Sequence, residues 1–181
     1  MANDNNTATA AESLGRSRGG LSTKVHLAAD RRCRPISRVI TAGHRHDGPV
    51  FEQVLSGIRI RRRGGGRPRT RPAHVLADKA YSSRAIRSLL RHRGIRATIP
   101  QPIDQINHRL ARGSRGGRPP AFDADRYRQR NTAERAINKL KQFRAVATRY
   151  DKRDYMYQAT IDIATIKIWL RDLTRDPRNT T

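Results

Sequence analysis

The segment YRQRNTAERAINKLK, residues 127–141, sets a single acid among cations and a phenol. Wound as a helix at 100° per residue, it places four polar residues within an arc of about 60°, namely Tyr127, Arg130, Glu134 and Lys141. The opposite side carries residues that can pack against a core, namely Ala133, Ala136, Ile137, Leu140 and Phe143. Because carboxylates are preferred ligands of hard divalent cations, the segment predicts a helix that presents a metal-binding acid to a polyanion. The alternative interpretation is a surface helix whose charges are only solvated.

A second acid stands at the end of a predicted strand. In AHVLADKAYSSRAIRSLLRHRGI a short apolar run ends at Asp78, and a helix capped by Ser82 or Ser83 follows. Ligands and catalytic groups gather at the carboxyl ends of strands in open α/β sheets. Asp78 is therefore a candidate functional residue. An Asp in this position is also often a turn or cap residue.

The charge of the chain indicates nucleic acid as its partner. The 181 residues include 39 Lys and Arg against 15 Asp and Glu, a formal charge of +24, and a folded chain of that charge repels itself unless an anion is near. The segment RIRRRGGGRPRTR, residues 59–71, holds seven arginines and three successive glycines, which predicts an exposed basic loop. We expect Arg61, Arg62 and Arg63 to contact the phosphates of double-stranded DNA.

The sequence also indicates the compartment. No apolar run approaches the ~20 residues needed to span a bilayer, and the start MANDNNTATAAESLG lacks the apolar region of a secretory signal. The single cysteine, Cys33, cannot form an internal disulfide, which fits a reducing environment. We therefore expect a cytoplasmic protein without membrane contact.

Hydrophobic periodicity predicts the domain limits and the final helix. Residues 1–20 and 176–181 are predicted to be a disordered arm and tail, and residues 21–175 a single domain. A repeat every three or four residues predicts a last amphipathic helix docked on the core or on a partner, with Met156, Ala159, Ile163, Ile166, Leu170 and Leu173 on its apolar side. Because the repeat spans fewer than three heptads, docking on the core of the chain itself is favoured.

Several shorter elements are predicted between these limits. The β-rich runs STKVHLAAD and PISRVITAG indicate a hairpin. Asp47 is predicted to cap a helix carrying Phe51 and Leu55, and RATIP is predicted to form a short strand. Residues 101–125 are interpreted as a Gly/Pro/Arg loop.

The spacing Tyr-x2-Arg-x3-Glu-x6-Lys resembles the signature of bacterial insertion-sequence transposases of the DDE class, of the insertion sequence 4/5 type. VLADKAYSS, GRPPAFDADRYRQRN and FRAVATRYDK also resemble segments of their C-terminal catalytic part. The resemblance implies an α/β fold of the ribonuclease H-like kind, a mixed sheet flanked by helices. It implies that Asp78 and Glu134 are two of the acids that bind Mg²⁺ or Mn²⁺, since in-line cleavage of a phosphodiester uses two such ions about 4 Å apart. It also implies that Tyr127, Arg130 and Lys141 position DNA. The implied reaction, at the bacterial nucleoid, is Mg²⁺-dependent hydrolysis at element ends followed by attack of the freed 3′-hydroxyl on target DNA.

One acid of the family pattern has no counterpart. The family carries its first catalytic Asp on a strand upstream of GRSRGG, where this sequence offers only Asp4, without apolar neighbours. Asp30 is expected in a hairpin turn and Asp47 at a helix cap. We therefore expect the downstream part of a transposase without that strand, from a second reading frame or a decayed fragment. Its expected protein partners are a second copy or the upstream-frame polypeptide, and the alternative function is a basic nucleic-acid-binding protein without chemistry.

Overall fold

The computed structural model describes residues 12–17 and 20–174. The chain divides into two compact units. The terminal unit comprises Met1–His46 and Thr132–Thr181, and the central unit comprises Asp47–Asn131. Strands and helices occur in both units, so the predicted α/β class is confirmed. No helix of the described residues is both long and apolar enough to cross a membrane.

Three antiparallel strands begin the terminal unit: β1 (Gly15–Ser17), β2 (Gly20–Ala29) and β3 (Pro35–Ala42). The predicted hairpin is confirmed as β2 and β3. Asp30 closes its turn, because Oδ1 accepts the backbone N–H groups of Arg32 and Arg34, each at 3.0 Å. β1 lies within the arm predicted to be disordered, of which residues 1–11 and 18–19 fall outside the described residues.

The central unit begins with a 3₁₀ turn, Gly48–Val50, that leads into α1 (Phe51–Ser56). The prediction that the Asp47 side chain caps this helix is wrong, because it makes no capping hydrogen bond. A cap must bond to the second or third N–H of the helix. Pro49 has no N–H group, and the N–H of Val50 donates to the backbone carbonyl of Asp47 at 3.2 Å.

A parallel pair of strands forms the sheet of the central unit. β4 (His74–Leu76) is followed by a 3₁₀ turn at Lys79–Tyr81, α2 (Arg84–His92) and β5 (Arg96–Thr98), which pairs with β4. Ser83 caps α2 by accepting the N–H of Ile86 at 3.2 Å, as one of the two predicted alternatives. The described strands thus lie in two small sheets, one antiparallel and one parallel, where the resemblance implies one mixed sheet.

Two helices complete the central unit. α3 (Ile103–Ala111) occupies the segment predicted to be a loop, which is a correction, and a 3₁₀ turn at Gly113–Gly116 follows it. Ile103, Ile106 and Leu110 follow a helical spacing, but the Gly, Pro and Arg residues of the rest of the segment outweighed that signal. α4 (Ala124–Arg128) is capped by Asp123, which accepts the N–H of Arg126 at 3.0 Å.

The terminal unit ends with three helices: α5 (Asn131–Lys141), which begins at the unit boundary, α6 (Arg144–Thr148) and α7 (Asp154–Thr174). α5 buries Ala136 and Leu140, as its predicted apolar side requires. The core of the unit lies between β2, β3 and these helices. Its buried members are Ile40, Leu140, Val146, Tyr157, Ile161, Ala164 and Ile168.

The predicted packing of the last helix is wrong. α7 turns Tyr157, Ile161, Ala164 and Ile168 into the core, whereas most of the predicted apolar stripe is exposed, including Ile163 at 62%, Ile166 at 57% and Leu170 at 55%. α7 therefore carries apolar residues on two sides. Periodicity found one side but could not tell which side the chain itself buries.

Candidate functional site

Asp78 lies two residues after β4, at the carboxyl end of the strand as predicted. Its Oδ1 accepts the N–H of Lys79 at 2.6 Å, so the residue also caps the following 3₁₀ turn. Its Oδ2 lies 3.5 Å from Nη1 of Arg130. That separation exceeds the usual length of a charge-assisted hydrogen bond, about 2.7–2.9 Å, and the side chain is 48% exposed. One oxygen of Asp78 thus remains available to a further partner.

The signature segment brings two of its residues to this acid. The Arg130 guanidinium, next to Asp78, also lies 5.5 Å from the ring centroid of Tyr127. The Tyr127 ring in turn packs on Phe122, with centroids 5.3 Å apart. Asp78, Arg130 and Tyr127 therefore form one cluster within the central unit.

The prediction of one continuous helix from Tyr127 to Lys141 is wrong. α4 ends at Arg128 and α5 begins at Asn131. Between them the N–H of Arg130 donates to the carbonyl of Tyr127 at 2.9 Å, a tightened last turn of the kind that ends helices. Of the four residues predicted to lie within one arc of about 60° on a helix, only Glu134 and Lys141 therefore share a helix, α5.

Glu134 and Lys141 stand at opposite ends of α5 and are both exposed. Glu134 lies in the first turn, where the helix dipole favours a negative charge, and Lys141 lies in the last turn, where it favours a positive one. By the unit boundaries, these two residues belong to the terminal unit and Asp78 to the central unit.

Tyr81 is a half-buried neighbour of Asp78. Burial, together with the charges of Asp47 and Asp78, raises the pKa of its hydroxyl to about 12. Its ring packs on Phe51 at 5.5 Å between centroids. Tyr81 therefore stays protonated at neutral pH.

Exposed carboxylates such as Asp78 and Glu134 have the oxygen donors that Mg²⁺ prefers. The half-exposed Oδ2 of Asp78 and the exposed side chain of Glu134 fit this role as separate ligands. Within residues 12–17 and 20–174, no group of three or more His, Cys, Asp or Glu side chains could hold a metal ion.

The predicted basic loop is exposed from Arg61 to Arg69. Ile60 and Arg69 pair across it through two backbone hydrogen bonds of 2.9 and 2.8 Å. The turn between them uses Gly65 and Gly66 at φ of +78° and +80°, a conformation that glycine adopts without strain. Arg61, Arg62 and Arg63 therefore project from a short closed loop into solvent, as predicted.

Sequence analysis missed a basic cleft in the central unit. The cleft has a volume of about 1180 Å³ and is lined by residues of β4, β5, α2, α3 and the segment before α4. Arg84, Arg87 and Arg91 stand on one side of α2 at spacings of three and four residues. The spacing of these three arginines can be recognised in the sequence. That Arg109 and Arg118 line the same cleft depends on tertiary packing and cannot be recognised there.

Comparison with known proteins gives the family. The family model described as "Transposase DDE domain" matches residues 3–164. A Brucella ovis protein, named as a transposase for insertion sequence element IS6501, is 30% identical over 151 residues, which are 83% of this chain and 100% of that protein. No solved structure matches the chain. With a matched model over most of its length and an acid at the end of β4, the chain belongs to the DDE-domain transposase family.

Proposed function

We propose that this chain is the catalytic part of an insertion-sequence transposase of the 4/5 type, in which Asp78 and Glu134 bind Mg²⁺ and Tyr127, Arg130 and Lys141 engage DNA at the bacterial nucleoid. The reaction is cleavage of DNA strands at element ends and transfer to target DNA. The contact of Arg130 with Asp78 carries the proposal. The two residues come from separate segments of the sequence, and the fold brings their charged groups together.

The chemistry follows from the charges at this cluster. Bound Mg²⁺ would activate the attacking oxygen and stabilise the leaving oxygen of a phosphodiester. Arg130 balances the charge of Asp78 and offers a guanidinium to an entering phosphate, the group that its planar fork binds best. Exposed loop arginines Arg61, Arg62 and Arg63 would hold the flanking duplex through phosphates, independently of sequence.

We assign only two of the three family acids to this chain. Asp30 is unsuited to the third role because both its oxygens are used in the hairpin, Oδ2 by the Arg34 guanidinium and Oδ1 by two backbone N–H groups. Asp4 lies outside the described residues. Asp47 is the best remaining candidate, since its charge and that of Asp78 both act on Tyr81. We expect residues 1–181 to bind DNA without cutting it.

The test is metal binding by calorimetry. Glu134→Ala should abolish Mg²⁺ or Mn²⁺ binding, leave the circular dichroism spectrum unchanged, and leave DNA affinity equal or higher because a negative charge is lost. Glu52→Ala is the matched control, since Glu52 is also an exposed acid in the first turn of a helix. Equal effects of both variants would contradict the proposal. If the intact chain nicked plasmid DNA, the inference that the third acid is missing would be wrong, and Asp47→Asn would be the next variant to test.

A basic binding protein without chemistry is the second candidate function. It is favoured by the lack, in the described part of the chain, of a cluster of three metal ligands. In this case the cations would serve only phosphate contacts, with an affinity that falls steeply with salt. Calorimetry separates the two functions, because this protein would bind DNA and no divalent metal.

We propose that a second copy covers the exposed side of α7. Met156, Ile163, Ile166 and Leu170 occupy the a and d positions of a heptad pattern and are 49% to 62% exposed. Such a seam is complementary to itself, as a symmetric dimer requires.

Sedimentation at increasing protein concentration tests this association. Ile163→Glu should keep the chain monomeric at concentrations where the intact chain dimerises, because the charge would be buried in the seam. Asp151→Ala, a change outside the seam, serves as control. A monomer at every concentration would reject the second copy.

A further inference from the structure

The basic cleft of the central unit has an unbalanced lining. Seven arginines line it against one acid among the described residues, Asp123. Asp123 is occupied elsewhere, because it caps α4 and pairs with Arg126 at 3.0 Å. The arginines therefore face each other across a concave surface without an acid to balance them. Such an arrangement favours an anion as the natural occupant.

The walls of the cleft hold donors that the protein does not use. Four buried side-chain atoms of the described residues have no hydrogen-bond partner, and three of them belong to residues that line the cleft: His74 Nδ1, Arg87 Nε and Arg109 Nε. Buried polar groups are almost always paired in native structures. Three of the four unpaired atoms thus lie in the walls of this one cleft.

The deeper wall is polar and already ordered. Ser82 donates to Oε1 of Gln105 at 2.9 Å, and Ser82 also accepts from Arg87 Nη2 at 2.8 Å. His74 Nε2 and Thr98 Oγ1 lie 2.9 Å apart. Ser82 and Thr98 are buried. Because these groups are buried and bonded to one another, they form a rigid polar wall behind the arginines of the cleft.

The rim provides a stacking surface as well as charge. Phe122 lines the cleft, is 49% exposed, and is supported from behind by the ring of Tyr127. Arg112 and Arg118 are exposed beside it. Aromatic rings next to cations are the usual means of holding unpaired bases and their phosphates.

The size of the cleft selects between paired and unpaired DNA. Its volume equals that of a cube with an edge of about 11 Å. A DNA duplex is wider than its major groove, and that groove alone is ~12 Å wide. A duplex cannot enter such a space, whereas one strand can. We propose that the cleft binds an unpaired stretch of DNA strand, with its phosphates on the rim arginines and a base on Phe122. The inference rests on the proposed function only in taking DNA as the substrate.

Fluorescence anisotropy on the full chain tests the proposal, with single-stranded and duplex oligonucleotides of equal length and mixed sequence. Phe122→Ala removes no charge, so it should weaken single-strand binding by about tenfold and leave duplex binding unchanged. Arg112→Ala/Arg118→Ala should also weaken the single strand more than the duplex. Arg61→Ala/Arg62→Ala is the matched control, because it removes two equally exposed arginines outside the cleft.

Thermal melting of each variant checks that the fold is kept, and all five substituted residues are exposed. The proposal is overturned if Phe122→Ala has no effect, or if the cleft double variant and the loop control weaken both DNA forms alike. Metal binding is measured separately, by calorimetry, so failure of the proposed catalysis can be told apart from failure of this cleft. A chain that binds no Mg²⁺ but keeps the single-strand selectivity would reject the proposed catalysis and support this cleft.

Discussion

The terminal and central units use their arginines in opposite ways. The central unit has 20 Lys and Arg against 6 Asp and Glu in residues 47–131, a formal charge of +14. In the terminal unit, Asp30 of the hairpin turn and Asp162 and Asp172 of α7 pair with arginines. Arg34 binds Asp30 and, at 3.0 Å, Asp172, while Arg38 binds Asp162.

These pairs fasten the hairpin to α7. Arg34 also lies 4.0 Å from the centroid of the Trp169 ring, and the Trp169 indole N–H donates to the carbonyl of Pro35 at 2.8 Å. Arg34 and Arg38 in the terminal unit thus stabilise the fold, whereas the arginines that line the central cleft are available to bind an anion. A uniform basic composition therefore conceals two roles, and the positions of the acids separate them.

The largest expected effect is on the terminal core. Ile161 is fully buried in α7, so Ile161→Ala should lower the free energy of unfolding by about 2–5 kcal/mol. Urea denaturation of dilute protein measures this. Ile163→Ala is the control on the exposed side of the same helix and should change stability by about 0.5 kcal/mol or less. Equal losses would mean that both sides of α7 are buried within one chain.

An intermediate effect separates the two uses of arginine. Arg34→Ala should lower the free energy of unfolding by about 1–3 kcal/mol, because Asp30 and Asp172 lose a charged hydrogen-bond donor, and should change DNA affinity little. Arg112→Ala in the central unit should do the reverse. Denaturation and anisotropy on both variants measure the contrast. The proposed difference between the two units would be wrong if both variants lost stability and DNA affinity in the same ratio.

The smallest expected effect concerns pH. Burial, followed by the charges of Arg126 and Arg96, lowers the pKa of His74 below its ordinary 6.5. The folded chain therefore binds this proton less readily than the unfolded chain, so stability is lost as the pH falls below about 6.5. His74→Gln should reduce the difference in unfolding free energy between pH 7 and pH 5, while His92→Gln, at an exposed position, should not. If His74→Gln left the difference in unfolding free energy between pH 7 and pH 5 unchanged, the cleft wall would not disfavour the protonated imidazole.

Local patterns predicted the elements whose periodicity matches their burial. The hairpin, the strand before Asp78 and the helix after Ser83 were correct because alternation, strand length and a capping side chain are all encoded within a few residues. α3 was missed because its short apolar stripe, Ile103, Ile106 and Leu110, lies in a segment otherwise rich in Gly, Pro and Arg.

The sequence by itself determined the chemistry available to this protein: a basic chain, an acid after a strand, and a signature with one Glu among cations. Tertiary structure decided which of these groups meet. It ended α4 before the signature was complete, set Arg130 beside Asp78, buried one side of α7 and exposed the other, and gathered arginines from separate elements around one cleft. The physical reason is that spacing along the chain fixes the direction of a side chain within its own element, whereas its partners depend on how elements far apart in sequence pack together.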